Sequence, residues 1–389
     1  MMDEQAPHLQ VGAGLRRTEH SSSSPHGRAE RSEFTSNQWL LVWHAFKRHR
    51  LAMVGGVVIL VMYILALFAE FFAANDPTFR DIDSPFAPPM RITVRTEGKW
   101  HLPSVYTMEN VRDPETLLMK YAEVTERRHP IRLFVRGDSY SLWGVFPGNL
   151  HFVGIQGEQR LYLFGTDQMG RDILSRMVMG ARLSMSIGLA GVSVSFVLAI
   201  VMGSLSGFFP GVVDIVIQRF IEVLSSIPTL PLYMSLAVAI PLNWSIVQVF
   251  FVITLILSLM GWPGLAREIR GKILALRETE YVIAARLDNA KTSWLLSRHL
   301  VPAVMSHLIA SVTLAIPGMI LGETALSYLG IGLREPAISW GVMLQDAQNI
   351  QRVITSPWYM LPVLPIIFAI LSFNFLGDGL RDAADPYKS

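Results

Sequence analysis

Six stretches of this chain are too long and too apolar to remain in water: approximately 51–73, 185–209, 212–240, 245–265, 301–325 and 357–378. About 20 apolar residues carry a helix across roughly 30 Å of hydrocarbon at about 1.5 Å per residue, and each stretch meets that length. Continuous apolar runs specify helices, because barrel strands would alternate over about ten residues. Composition agrees: 16% of the 389 residues are charged, against about 25% in soluble domains. The expectation is an all-α polytopic membrane protein with six transmembrane helices.

Pro228 and Pro231 fall inside the third stretch, and Pro362 and Pro365 inside the sixth. Lipid tolerates such breaks only where neighbouring helices or a water-filled cavity satisfy the freed carbonyls. A bundle around a path is therefore expected in place of six independent anchors.

Orientation follows from the basic residues beside the spans. Lys47, Arg48 and Arg50 precede the first, and Arg267, Arg270, Lys272, Arg277, Arg286, Lys291 and Arg298 follow the fourth. The 241–244 turn carries no charge, and 326–356 holds only Arg334 and Arg352 as basic residues. Both termini then face the cytoplasm. The arginine-rich segment 74–184 lies outside, which is tolerable because long segments translocate largely regardless of charge. The expected organisation is a cytoplasmic tail over 1–50, a first helix over 51–73, an external insert and pre-helix over 74–184, and a five-helix core over 185–389 with a cytoplasmic loop at 266–300. The first 40 residues are polar and read as a disordered tail. The first apolar run lies too far along the chain, and is too long, to be a cleaved signal; it reads as an uncleaved anchor.

Within the insert, Trp100, Tyr106, Tyr121, Phe134, Tyr140, Trp143, Phe146 and Phe152 supply enough aromatic area for a small folded cap with short strands. Turn signals stand at Arg136-Gly137-Asp138 and Pro147-Gly148-Asn149. An irregular loop draped over the bundle is the alternative, and the sequence leaves both open.

No catalytic constellation stands out. Zero cysteines exclude disulfides, thiol nucleophiles and cysteine-ligated zinc, and a net charge of +2 gives no footprint for nucleic acid. The nearest approach to a phosphate loop, Gly264 to Lys272, has wrongly spaced glycines and Ile273 where Ser or Thr would hold magnesium. His299 and His307 read as helix-surface residues, and no metal ligand set emerges. Gly203 and Gly207 are expected to let two helices pack closely.

Three groups of polar residues call for an explanation. The 278–292 segment, with Tyr281, Ala284, Ala285 and Leu287 among charges, predicts a short helix with a compact small-residue patch. Composition alone suits either a docking surface or an ordinary solvated loop helix. Asp214, Arg219 and Glu222 lie at the inner part of the third span, where charges are costly; the three-residue spacing of Arg219 and Glu222 favours an ion pair on one helix over substrate contact. Glu323, near the outer end of the fifth span, reads as either path-lining or interfacial.

Glu280-Tyr281-Val282-Ile283-Ala284-Ala285-Arg286-Leu287-Asp288-Asn289, followed by Arg298-His299-Leu300-Val301-Pro302, resembles the cytoplasmic coupling loop of ABC-importer permeases. Ile283 stands where that loop usually has glutamate and Asn289 where it has glycine. Asn is the next most tolerant residue for the left-handed turn that the glycine supplies. Phe164-Gly165-Thr166-Asp167-Gln168-Met169-Gly170-Arg171-Asp172 with Gly180 to Ser184, the set Asp214, Arg219, Glu222 and Pro228, Glu323 to Gly330, and Gly377 to Asp382 are similar to further signatures of the C-type permease of dipeptide and oligopeptide importers. The resemblance covers about 40–73 and 163–386.

The resemblance implies the type I ABC-importer permease fold, with a periplasmic insert after the first helix, in the bacterial inner membrane. It implies a non-catalytic subunit that binds no cofactor, with ATP and Mg on partner ATPase subunits. The implied partners are a homologous B-type permease, two ABC ATPases and a periplasmic solute-binding protein. Glu280, Tyr281, Ala284, Ala285, Arg286, Asn289 and Pro302 would contact the ATPase. The insert and the 333–350 loop, with Pro336 and Trp340, are the expected docking points for the binding protein. Peptides are the commonest cargo of this branch; oligosaccharides, opines and nickel also occur. A stand-alone secondary transporter is the rival class, disfavoured because the second, fourth and most of the fifth span lack acids and bases.

Overall fold

In the computed structural model the described residues are 43, 46–96, 99–112, 119–157 and 159–384, so the tail expected over 1–50 lies almost wholly outside them. In chain order the elements are helices α1 (Arg50–Leu67) and α2 (Ala69–Phe72), strands β1 (Thr93–Thr96), β2 (Lys99–Arg112), β3 (Met119–Leu142) and β4 (Phe146–Ile155), then helices α3 (Ile173–Phe208), α4 (Val212–Ser226), α5 (Thr229–Val238), α6 (Ile246–Leu276), α7 (Glu280–Leu287), α8 (Thr292–Leu295), α9 (Val301–Tyr328), α10 (Trp340–Gln345), α11 (Ile350–Thr355) and α12 (Val363–Ala384). Among the described residues five helical stretches are long and apolar enough to cross a membrane, and α4 with α5 makes a sixth if that bent pair counts as one span.

The third span is where sequence and structure differ most. Its two halves, α4 and α5, meet at 84° instead of forming one helix over 212–240. The cause is Pro228, which pushes the residue before it out of the helical region; Ile227 is extended, at φ −88° and ψ 127°. Pro231 sits in the first turn of α5, where a missing N–H costs nothing. In the sixth span Pro362 precedes α12 and Pro365 occupies its first turn, so neither breaks a helix as expected. The second span begins at Ile173 rather than 185, absorbing the expected pre-helix.

Small residues set the closest helix contact. A Cβ on Gly203 would lie 2.6 Å from the Ala266 carbonyl oxygen, and one on Gly207 2.8 Å from that of Arg270. The backbones of α3 and α6 therefore touch, as in small-xxx-small membrane interfaces. Further along, Ser258 Oγ donates to the Gly191 carbonyl at 2.9 Å and Ser195 Oγ to that of Ser258 at 3.0 Å. Around this pair α9 and α12 complete a core containing Ile187, Leu257, Ile320 and Phe373.

The insert is a folded antiparallel sheet in the order β1-β2-β3-β4, in which β2, β3 and β4 are far longer than the short strands expected. The first half of β3 pairs with β2 (Ser104↔Pro130 to Arg112↔Met119) and its second half with β4 (Ile131↔Ile155 to Leu142↔Phe146). Neither expected turn is a turn. Gly137 and Asp138 mark a register shift inside β3, and Pro147 to Asn149 lie within β4. Chain reversal occurs instead at Trp143 and Gly144, both left-handed. Val105, Ile155, Leu161 and Tyr162 form the small core.

Insert and bundle are joined by the Phe164 to Asp172 motif. Thr166 N donates to the Ala87 carbonyl at 2.9 Å, and Phe86 N to that of Asp167 at 3.0 Å. Gly170 has φ +72°, and a Cβ there would fall 1.9 Å from the Asp81 carbonyl oxygen, so only glycine fits. Asp172 then caps α3, accepting from Leu174 N and Ser175 N, and also from Ser175 Oγ and Asn75 Nδ2. Burial pushes its carboxyl up to about 6 against those hydrogen bonds.

Candidate functional site

The site assembles at the end of the bundle opposite the insert. Helix α3 starts beside the insert and runs 36 residues to Phe208, about 54 Å at the helical rise. There the polar helix α7 lies on the bundle. Its bundle-facing side carries Val282, Ala285 and Arg286, spaced as i, i+3 and i+4 on one helical face. Val282 is fully buried in a cluster with Phe208, Ile269, Ile273, Leu295 and Leu300, and Ala285 and Ala290 pack against its edge. The Arg286 guanidinium lies 4.5 Å from the Phe208 ring centroid, a cation–π contact.

Asn289 adopts φ +56°, the left-handed conformation expected of it. Ala290 N donates to the Ala285 carbonyl and Asn289 N to that of Arg286, each at 3.0 Å. These are the two bonds of a Schellman cap, so the turn is complete without glycine. Beyond it, residues Leu296–Leu300 form one π-helical turn leading into α9. Pro302 has no N–H for the carbonyl four residues earlier and its ring would crowd that group; a π turn next to it relieves both.

The expected small-residue patch is divided by the fold. Ala285 turns inward, while Glu280, Tyr281, Ile283, Ala284 and Leu287 are exposed. Pro302 is exposed as well. The Trp294 and His299 rings meet edge to face at 4.6 Å, with Tyr281 6.4 Å from His299, extending the outward surface beside α7.

The three charges of the third span do not form one group. Asp214 is joined by Arg270 of α6 through two bonds of 2.6 Å, and Ser206 Oγ of α3 donates to it at 2.5 Å. Gln218 Nε2 donates to Ser206 Oγ at 2.9 Å. This clamp ties α3, α4 and α6 together next to α7. Arg219 and Glu222 do pair, at 2.7 Å, on an exposed face of α4. Such a surface pair contributes little. Arg270 and Ser206 were not legible beforehand, their only signal being an arginine at the polar end of the fourth run. His307 of α9 bonds Glu268 of α6.

Glu323 is neither path-lining nor interfacial. It is fully buried and accepts from Ser327 Oγ and Ser339 Oγ, each at 2.8 Å, and from Ser184 Oγ at 3.1 Å. The same serines accept Leu333 N, Val342 N and Trp340 N. One carboxylate thus joins α3, α9 and the start of α10. Trp340, expected on a docking surface, is fully buried and donates to the Met177 carbonyl at 3.0 Å. Pro336 is exposed.

On the insert side, Arg171 bridges Asp167 at 2.6 Å and Glu335 at 2.7 Å, and Arg176 reaches Glu335 at 3.1 Å. Burial would raise the Glu335 carboxyl, but Arg171 and Arg176 outweigh it and hold it below the usual range. A polar cleft of about 580 Å³ adjoins this network, lined by Gln168, Arg334, Glu335, Asp346 and Arg352 among others. The stretch from Gly264 to Lys272 is continuous helix within α6, with no loop to cradle a phosphate.

Residues 199–388 match the binding-protein-dependent transport system inner membrane component family, and residues 37–89 match the N-terminal transmembrane domain of oligopeptide transport permease C. The oligopeptide transport system permease protein OppC of Bacillus subtilis (strain 168) is 38% identical over 57% of this chain and 71% of its own length. The chain belongs to this permease family. The dipeptide transport system permease protein DppC of the same organism is 36% identical to the permease over 57% of this chain and 68% of the relative. OppC of Escherichia coli (strain K12) is 38% identical over 58% and 72%. Among solved structures, a chain of the MetNI methionine ABC transporter is similar at 15% identity and TM-score 0.44, over 55% of the permease and 98% of that chain. Helix α7, the Asp214 clamp and Glu323 all fall within 199–388, whereas strands β1 to β4 of the permease lie between the two matched stretches.

Proposed function

We propose that this permease is half of the translocation path of an ATP-driven importer, moving peptides delivered by a periplasmic solute-binding protein. Helix α7 is the coupling helix, seated on an ATPase subunit through Tyr281, Ala284 and Leu287. The observation that carries the reading is that helix's two-sidedness: Val282 locks one face to the bundle, and Leu287 on the other is 79% exposed. A solvated loop helix has no reason to combine a buried anchor, a complete C-cap and an outward apolar patch. Peptide cargo is inferred from the oligopeptide and dipeptide transport named for the relatives.

Closure of two ATPases on ATP and Mg would push α7, and the Asp214–Arg270 clamp would pass that displacement to α3, α4 and α6 as a rigid body. The homologous B-type permease would cover the exposed apolar face of α4, which carries Ile215, Val216, Phe220 and Val223. Both termini face the cytoplasm in this arrangement, and the insert, with the polar cleft around Glu335 and Asp346, faces the binding protein. Ala284→Arg puts a bulky charge on the docking face without touching the anchor. It should abolish peptide uptake and transport-coupled ATP hydrolysis in proteoliposomes while the protein still inserts and assembles. Coupled hydrolysis equal to that of the unmodified protein would refute the assignment of α7.

A further inference from the structure

The tip of the β3–β4 hairpin is apolar and open. Leu142 pairs with Phe146, leaving Trp143, Gly144 and Val145 as the turn. Trp143 has φ +54° and Gly144 φ +73°. A tryptophan in the left-handed region is unfavourable, so the turn is not chosen for backbone ease. What it achieves is placement of the indole: Trp143 Nε1 donates to the Leu67 carbonyl at 2.8 Å. Leu67 is the last residue of α1. That helix has 18 residues, about 27 Å at the helical rise and close to the roughly 30 Å hydrocarbon thickness. Its end therefore marks the hydrocarbon boundary, and Trp143 lies at the same depth.

The surface around this point is continuous with the outward side of α1. Phe68 and Trp143 are 6.1 Å apart between ring centroids, Trp143 and Phe146 6.3 Å, Phe71 and Phe134 6.2 Å, and Phe134 and Phe152 5.8 Å. Leu133 and Phe134 are each 60% exposed, Val145 69% and Phe146 58%. Below them on α1, Leu60, Ile64 and Leu67 are exposed too. An aromatic girdle topped by an indole suits the boundary between headgroups and acyl chains, where Trp is enriched. Arg182 holds the corner together: it donates to the Ala66 and Leu67 carbonyls at 3.0 and 3.2 Å and to Glu70 at 2.7 Å.

We propose that the β3–β4 hairpin is a membrane anchor, inserting Trp143, Val145 and Phe146 into the boundary of the outer leaflet and fixing the tilt of the insert relative to the bundle. The occupant of the patch is lipid, because the patch continues the outward surface of a span and is tied to that span at boundary depth. This goes beyond the transport reading and rests only on α1 crossing the bilayer.

The chain has no cysteine, so Val145→Cys supplies a single thiol for a nitroxide label. The assembled transporter, with partner cysteines replaced, would be placed in vesicles of phosphatidylcholine and phosphatidylglycerol. Collision of the label with oxygen would be compared with collision with a water-soluble nickel chelate. A label at Val145 should prefer oxygen, as one at Ile64→Cys does, and unlike one at the water-exposed Ile82→Cys. Adding Phe146→Asp should reverse the preference at Val145 and leave Ile82 unchanged. A nickel preference at Val145 would overturn the proposal by placing the tip in water. Protection from both reagents would overturn it by placing a protein there.

Discussion

Val282→Ala isolates the buried anchor of α7 from the exposed face proposed to dock. The valine is fully buried among Phe208, Ile273, Leu295 and Leu300, and alanine removes two methyl groups. At about 0.8 kcal/mol per buried carbon, plus a cavity term, the loss comes to about 2 kcal/mol. Because α7 has only eight residues, too few to hold helix by itself, that loss falls on its attachment to the bundle. Local opening should become about 30-fold more populated. The amides of Asp288, Asn289 and Ala290, which close the C-cap on Ala284, Arg286 and Ala285, report it directly. Hydrogen exchange followed by mass spectrometry over 282–290 should accelerate by that factor, while peptides from α3 and α6 keep their rates. Peptide uptake should fall because a loosened lever absorbs the ATPase stroke. Leu287→Ala on the exposed face should leave exchange unchanged and still reduce uptake. Unaltered exchange in Val282→Ala, or equal acceleration in Leu287→Ala, would refute the division of α7 into anchor and docking faces.

Three other predictions test separate parts of the structure. At Asn289, glycine should preserve exchange protection and uptake, whereas Asn289→Val should cost about 1–2 kcal/mol for the left-handed backbone and raise exchange at 288–290. Glu323→Leu removes the acceptor of three buried hydroxyls, a loss on the order of 3 kcal/mol, and should lower the thermal midpoint in detergent; Glu323→Gln, which keeps a carbonyl oxygen, should lower it less. Asp172 has its folded pKa raised to about 6 from 3.8. Its stabilising contribution is therefore complete below the unfolded value and lost as pH rises through 6, by on the order of 3 kcal/mol. The midpoint of the unmodified protein should rise as pH is lowered from 7.5 to 5, and Asp172→Asn should abolish that gain.

Five of the six expected spans, the helical character of α7 and the left-handed turn at Asn289 were readable from the chain, for a common physical reason. Lipid forces a helix to satisfy its own backbone within about 20 consecutive residues, and a C-cap is closed by carbonyls five residues away or fewer. Gly203 and Gly207 belong with these, since a missing side chain permits close approach whichever helix arrives. Long-range geometry decided the rest. Asp214 found Arg270 rather than the nearer Arg219 because α3, α4 and α6 converge there, and Glu323 was buried by serines contributed from α3 and the segment before α10. Ala284 and Ala285 are adjacent in sequence, yet only the docking of Val282 determines which of them faces outward. The strands of the insert were hidden for a related reason: Gly137 and Gly148 looked like turns, but their missing side chains make room for His151 and Tyr140 across β3 and β4. Local chemistry thus determined which segments enter the membrane and where α7 ends. Tertiary packing decided which charges meet, which faces stay open and where the insert comes to rest, because those depend on partners that the linear order does not bring together.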